Sequence, residues 1–189
     1  MKKQNIIFLS ILLLVGVVFA IYFTKLSAYK NAPSNTSSIK NYFNPIRGIK
    51  FSYDSSWKQD QTVVDGERPV IAVLRKGSSV ISLSHYSKAD SNYATFEQLK
   101  AGTPKALEFL PGFKNLSDDT HIINSIDTYS ISYKNNDDRN YTWMNLTYCF
   151  FTPGKEYYCM TYGASENKYN EKEAQQFINA VNTFEVAEN

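Results

Sequence analysis

The two cysteines of this 189-residue chain lie in the stretch YCFFTPGKEYYC, and they constrain the fold more than any other feature. Two β-rich runs, 140–151 and 156–164, flank the turn residues 153–155 (Pro-Gly-Lys), a pattern that predicts a long antiparallel hairpin. A three-residue turn sets a register in which Cys149 faces Cys159 directly. The same register places the apolar residues of both strands together on the opposite face, which is the condition that fixes the pairing.

An apolar run near the start of the chain predicts export. Residues 6–23, IIFLSILLLVGVVFAIYF, contain no charged residue and are long enough as a helix to cross a bilayer. The basic segment 1–5 precedes the run, which predicts a cytoplasmic N-terminus and an exported remainder. We therefore expect residues 6–24 to be a transmembrane signal anchor. A cleaved signal peptide is the alternative, because residues 18–20 (Val-Phe-Ala) form an acceptable cleavage site.

The expected location is therefore a bacterial cell membrane, crossed once, with the C-terminal domain extracytoplasmic. If the helix is cleaved, the domain is periplasmic or secreted. Disulfides persist in such oxidising compartments, and directly opposed residues have Cα atoms about 4.5–5.5 Å apart, which a disulfide accepts. We expect a Cys149–Cys159 disulfide, with two free buried thiols as the alternative. A zinc site or a catalytic redox pair is disfavoured, because His85 and His121 are distant in sequence and nine residues separate the cysteines.

Charge and composition divide the chain into a tether and a domain. Residues 25–41 are polar and lack periodicity, so they are predicted to be a flexible tether, and residues 42–189 to be the domain. Residues 1–30 contribute four lysines and no acidic residue to a total charge of +2, so residues 31–189 carry −2. The domain therefore has no basic excess with which to bind nucleic acid.

The remaining periodicities predict a mixed fold. Residues 49–53 alternate as a strand, and residues 69–86 and 119–133 each form a short-looped strand pair. Two helices are predicted. The first follows a capping box at Thr95 and Gln98 and is expected to be broken or kinked by Pro104; the second follows Asn170, with the apolar stripe Ala174, Phe177, Ile178, Val181 and Phe184. Local hairpins joined in this order predict an α+β fold with a largely antiparallel sheet.

No catalytic, cofactor-binding or metal-binding signature is present in the sequence, and no cofactor is expected. His85 and His121 each lie in a predicted strand, where a single histidine is usually structural. The paired carboxylates 118–119 and 137–138 lie in predicted loops, where aspartate favours solvated turns. Three aromatic residues of the long hairpin, Tyr141, Trp143 and Tyr157, share the cysteine face. If that face is exposed they form a candidate binding surface, and if a helix covers it they are core.

The stretch GIKFSYDSSW, residues 48–57, resembles the opening of PsbP/Mog1-like domains, in which a short strand leads to a turn and a Trp. The elements that follow over residues 42–185 have the same order, including the helix TFEQLKAGTPKALEFLPGF and the final helix YNEKEAQQFINAVNTF. The chain departs from the family at residues 54–56, where members often have Pro, and at Ser125, where they often have Gly. The resemblance implies an α-β-α sandwich with both sheet faces partly covered, with Trp57 as an anchor at the sheet edge and Trp143 in the core.

The family has no common catalytic residue, so the resemblance implies a binding or assembly module. We expect a membrane-tethered, non-catalytic domain with an envelope protein as partner. The alternatives are an exported small-ligand sensor, for which a deep pocket lined by tyrosines would be required, and an extracytoplasmic hydrolase. A hydrolase would need His85 or His121 to lie beside a carboxylate and a hydroxyl.

Overall fold

The computed structural model describes residues 38–63, 69–89 and 93–187. The predicted anchor at 6–24 and most of the predicted tether at 25–41 lie outside these residues. Within the described ranges, no helix combines the length and the apolar character needed to cross a membrane.

The described chain forms two antiparallel sheets and two α-helices. A small sheet has the order β1-β2-β10, and a large sheet has the order β3-β4-β5-β9-β8-β7-β6. The strands are β1 (Ile39–Asn44), β2 (Ile49–Asp54), β3 (Lys58–Gln59), β4 (Val70–Lys76), β5 (Ser79–Tyr86), β6 (Lys114–Ile123), β7 (Ile126–Asn136), β8 (Thr142–Phe151), β9 (Tyr157–Ser165) and β10 (Glu185–Val186), and the helices are α1 (Phe96–Leu107) and α2 (Glu171–Val181).

The first face of the large sheet packs against α2 and the small sheet. The α2 stripe is buried at Ala174, Phe177 and Val181 because this side of the helix faces the sheet. The Phe177 ring contacts Tyr162 of β9, with ring centroids 6.0 Å apart. Asn170 caps the helix through bonds from the main-chain N–H groups of the second and third helical residues, as its sequence position predicts.

Trp57 joins this core from the sheet edge. It immediately precedes the edge strand β3 and is fully buried. Its indole ring meets Tyr162 edge-on, with centroids 6.2 Å apart, and its Nε1–H donates to Gln176 Oε1 of α2 at 3.2 Å. Trp57 therefore links the sheet edge to the covering helix, because a buried indole N–H requires an acceptor.

The second face of the large sheet is partly covered by α1. Leu99 is fully buried in a cluster with the cysteines and Tyr157, and Phe96 packs against a second cluster on β7, formed by Tyr129, Ile131 and Tyr133. The helix begins at the predicted capping box, where Thr95 Oγ1 accepts from the Gln98 N–H at 3.3 Å. With helices on both faces, the predicted α+β class is confirmed.

The predictions for Pro104 and for the start of the domain differ from the observed elements. The structure has one helix from 96 to 107, so the expected break at Pro104 does not divide it. Pro104 lies in the last turn of the helix. Its missing N–H removes one hydrogen bond there, and the helix continues to Leu107. At the domain start, residues 39–41, which the sequence predicts as the end of the tether, belong to β1. Ile39 pairs with Asp54 of β2, and this cross-strand pairing orders the chain three residues earlier than its polarity indicates.

The turn between β6 and β7 shows why PsbP/Mog1-like domains often have Gly where this chain has Ser125. Asn124 and Ser125 have φ angles of 50° and 66°, so both residues occupy the left-handed region. Two consecutive residues of this kind match the twist of a tight hairpin, and Gly is the favoured second residue. Ser125 therefore adopts a conformation that costs a side-chain-bearing residue more than glycine.

Candidate interaction surface

Asp137 organises the turn that leads into β8. Its Oδ1 accepts from the main-chain N–H groups of Arg139 at 3.0 Å and Tyr141 at 2.9 Å. Its Oδ2 accepts from the indole Nε1–H of Trp143 at 3.2 Å. The bond from the Tyr141 N–H, with those from Trp143 and Arg139, lowers the pKa of Asp137 below its ordinary value. The carboxylate therefore remains charged and holds three groups of the turn in place.

Main-chain bonds close the same turn. The Asp137 N–H donates to the Tyr141 carbonyl at 3.0 Å, and the Asn140 N–H donates to the Asp137 carbonyl at 2.8 Å. Asn140 has a φ of 63°, a left-handed conformation that asparagine tolerates better than most residues. Residues 137–143, which we name the Asp137 turn, thus have a conformation defined by their own hydrogen bonds.

The Asp137 turn presents an aromatic and cationic patch to solvent. Tyr141 is 62% exposed, Arg139 is exposed and Trp143 is half-buried. The Trp143 ring lies against Gly163 of β9, since a Cβ at Gly163 would be 3.6 Å from ring atom Cε3. Arg139, Tyr141 and Trp143 together form the surface that we name the Asp137-turn patch. Arg139 and Asp137 were not predicted from the sequence, where the acidic pair 137–138 indicated a solvated turn.

Tyr157 lies apart from this patch. It pairs with Phe151 at the far end of the long hairpin, and it is 8% exposed. Its ring stacks on Tyr86 with centroids 4.5 Å apart and meets Tyr93 at 5.8 Å. Burial in this cluster raises the pKa of the Tyr157 phenol. Of the three aromatic residues predicted to share one face, the structure places Tyr141 at the surface, Trp143 half-buried and Tyr157 beneath α1.

The cysteines lie beneath α1. Cys149 is directly opposite Cys159 in the β8–β9 register, and the two sulfur atoms are 2.06 Å apart in a disulfide. The whole predicted register of this hairpin is confirmed, including the pairing of Thr147 with Thr161. Cys149 is 1% exposed because Leu99 of α1 packs over it. The bond joins two central strands of the large sheet.

His85 has a structural arrangement of contacts. Its Nδ1 lies 2.5 Å from Arg47 Nη1, and its Nε2 lies 3.1 Å from Glu156 Oε2. A guanidinium has no acceptor, so Nδ1 accepts and Nε2 carries the proton that it donates to Glu156. Both ring nitrogens are thereby engaged in linking the β1–β2 turn to the large sheet, and the side chain is 8% exposed.

His121 contacts a hydroxyl. Its Nε2 lies 2.9 Å from Ser130 Oγ across the β6–β7 pair, and its ring meets Tyr148 with centroids 5.6 Å apart. Ser130 is 7% exposed, so this hydroxyl lies within the sheet face. The neighbouring carboxylate of Asp119 accepts from the main-chain N–H of Thr120 at 2.7 Å. Across the described residues, no group of three or more metal-ligating side chains comes together.

The architecture of a largely antiparallel sheet with one helix on each face is a PsbP/Mog1-like fold. No family model and no curated protein matches the chain. The fold class is therefore defined by similarity to solved structures.

Two of these structures show the likeness. The solution structure of the cyanobacterial PsbP protein CyanoP from Synechocystis sp. PCC 6803 has a TM-score of 0.54 at 15% identity, covering 82% of this chain and 96% of that chain. The crystal structure of LpqN from Mycobacterium tuberculosis, described as involved in cell envelope biogenesis, has a TM-score of 0.58 at 10% identity, covering 81% of this chain and 94% of that chain. At these identities the similarity establishes the fold.

Proposed function

We propose that the protein is an extracytoplasmic, non-catalytic module that binds a protein of the cell envelope through the Asp137-turn patch. One observation carries this proposal: the Asp137 carboxylate holds an exposed Tyr, an exposed Arg and a half-buried Trp on one hydrogen-bonded turn. Tyr, Trp and Arg are the residues most enriched among those that dominate protein–protein binding energy. A turn that is already ordered loses less conformational entropy on binding.

The proposed location has three supports of different kinds. The Cys149–Cys159 disulfide is typical of an oxidising compartment. The apolar run at 6–23, which predicts an anchor or signal peptide, supplies the route of export. The similarity to LpqN, which is described as involved in cell envelope biogenesis, agrees with both. We therefore propose that residues 6–24 tether the domain to the outer side of a bacterial cell membrane.

The arrangement of the histidines supports a non-catalytic role. His85 is held between Arg47 and Glu156, so neither ring nitrogen is available to accept a substrate proton in this arrangement. His121 bonds to the buried hydroxyl of Ser130, which has little access to solvent. A triad mechanism needs a nucleophile that substrate can reach.

The proposal is tested by cross-linking in intact cells. Cells carrying the wild-type chain, Tyr141→Ala or Phe109→Ala would be treated with a cell-permeable cross-linker, and the purified complexes identified by mass spectrometry. Phe109 is 91% exposed and lies outside the patch, so it provides a matched loss of one exposed aromatic ring. We expect one envelope protein to be captured in near-stoichiometric amount by wild type and Phe109→Ala, and to be strongly reduced for Tyr141→Ala. Equal capture by all three chains would contradict the proposed surface.

A further inference from the structure

A groove of about 490 Å³ lies on the outer face of the small sheet. Side chains in two cross-strand rows form its floor. Phe43, Lys50 and Glu185 form one row across β1, β2 and β10, and Asn41 pairs with Ser52 in the next row. The volume lies within the range of about 300–1,000 Å³ that is typical of small-molecule sites.

The first row combines an exposed aromatic ring with a neutralised charge. Phe43 is 64% exposed, although its neighbours Tyr42 and Asn44 are buried on the other side of β1. Lys50 Nζ lies 2.9 Å from Glu185 Oε2, so the two charges of the groove compensate each other. The row therefore offers an exposed aromatic ring beside an ion pair without a net charge.

The second row holds its amide in a fixed orientation. Ser52 Oγ donates to Asn41 Oδ1 at 2.9 Å, which directs the Asn41 amide N–H groups away from that bond. Thr183 Oγ1 accepts from the Ser52 main-chain N–H at 2.8 Å and closes the groove from the end of α2. The hydroxyls and amide of this row are thus positioned before any ligand arrives.

Two further amides border the groove beside α2. Asn124 Nδ2 donates to the carbonyls of Asn182 and Phe184, at 3.2 and 2.9 Å, and its Oδ1 remains as an acceptor facing no partner among the described residues. The Asn182 side-chain amide likewise has no hydrogen-bond partner within the described part of the chain. An amide provides both donors and an acceptor.

We propose that this groove binds a neutral glycan, with the Phe43 ring as the stacking platform and the amides of Asn41, Asn124 and Asn182 as polar contacts. A sugar ring has one apolar C–H face and a rim of hydroxyls, each of which donates and accepts. This chemistry matches an exposed ring bordered by uncharged donors and acceptors. The Lys50–Glu185 pair leaves no net charge to attract a phosphate or an anionic lipid headgroup.

The test uses the full chain, purified in a zwitterionic detergent without a sugar headgroup. Tri-N-acetylchitotriose, maltotriose and cellotriose would be titrated by calorimetry and by saturation-transfer NMR. We expect at least one to bind with a Kd of about 10 µM to 1 mM. Phe43→Ala should weaken binding about tenfold, whereas Phe43→Tyr and the exposed control Phe109→Ala should leave it unchanged. Asn41→Ala should weaken binding while the melting temperature stays the same.

Three results would overturn the proposal. The first is the absence of binding by all three oligosaccharides up to about 10 mM. The second is equal loss of affinity in Phe43→Ala and Phe109→Ala. The third is Phe43-dependent binding of an extended peptide or of lipid vesicles in place of sugar, which would assign the groove to a different class of ligand. None of these results depends on the Asp137-turn patch, so the glycan and protein proposals fail independently.

Discussion

Loss of the Cys149–Cys159 disulfide should destabilise the domain by about 3 kcal/mol. The bond closes a loop of about 11 residues, and the chain-entropy relation gives about 3 kcal/mol for a loop of this length. For a domain of about 150 residues, this corresponds to a decrease of about 6–12 °C in melting temperature. The double variant Cys149→Ala/Cys159→Ala, unfolded in urea without reductant, should have a free energy of unfolding about 3 kcal/mol below that of wild type. Its melting temperature should fall accordingly.

Treatment with a reductant distinguishes the stability that comes from the cross-link from the stability that comes from the packing of the two sulfur atoms. Fully reduced wild type keeps both sulfurs but loses the bond, so it should fall to within about 1 kcal/mol of the double variant, while the variant itself should not respond to reductant. The neighbouring pair Thr147→Val/Thr161→Val removes the 2.9 Å hydroxyl bond between the same two strands and should cost only about 1 kcal/mol. If wild type proved equally stable before and after reduction verified by alkylation, the loop-closure reasoning would be refuted.

Further predictions concern the core, two turns and alkaline pH. Phe177→Ala should cost about 3–5 kcal/mol in urea unfolding, because the side chain is fully buried, and the exposed control Lys172→Ala should change it by less than about 0.5 kcal/mol. Ser125→Gly should stabilise the domain by about 0.5–1 kcal/mol in the same assay by relieving a φ of 66°; destabilisation would show that the turn is not strained. Asp137→Ala should release Tyr141 and weaken capture of the envelope partner in the cross-linking assay. Capture equal to that of wild type would show that binding does not require the hydrogen bonds of the Asp137 turn. Burial, with a contribution from Asp118, raises the pKa of Tyr129 to about 12, so its phenol stays protonated in the fold while an unfolded tyrosine ionises near pH 10. The free energy of unfolding should therefore fall as the pH rises from about 10 to 12. Absorbance at 295 nm, which reports phenol ionisation, should then rise together with the loss of circular dichroism. A phenol titration that is complete near pH 10 in the folded state would contradict this.

The hairpins could be predicted from the sequence because their signals are local. A period-2 pattern on both sides of residues 153–155 admits one register, and the structure has that register throughout β8 and β9. The stripe on α2 was also predictable, since burial on one side of a helix leaves a 3.6-residue period. The start of β1 is not predicted because most of its residues are exposed and show no clear apolar alternation. The strand is held in place by its pairing with β2.

The interaction surface and the groove could be predicted only in part. Tyr141 and Trp143 were recognised as aromatic residues on one face, but the role of Asp137 depends on a carboxylate that reaches three donors in a closed turn. Tyr157 lies on the same face of the hairpin as Trp143, because alternate residues of a strand share a face. That alternation does not indicate which part of the face a helix covers. The groove brings Asn41 together with residues of the β6–β7 turn and residues that follow α2, all more than 80 positions away. No local sequence pattern predicts this proximity.

Photo-cross-linking at residue 141 tests most directly whether the Asp137-turn patch contacts a protein partner outside the cytoplasm. The photoreactive amino acid p-benzoylphenylalanine would replace Tyr141 in one strain and Phe109 in another, and intact cells would be irradiated. We expect a light-dependent adduct with a single envelope protein at position 141 and none with that protein at position 109. Absence of an adduct at 141 in a folded, oxidised domain, or identical adducts at both positions, would contradict this expectation.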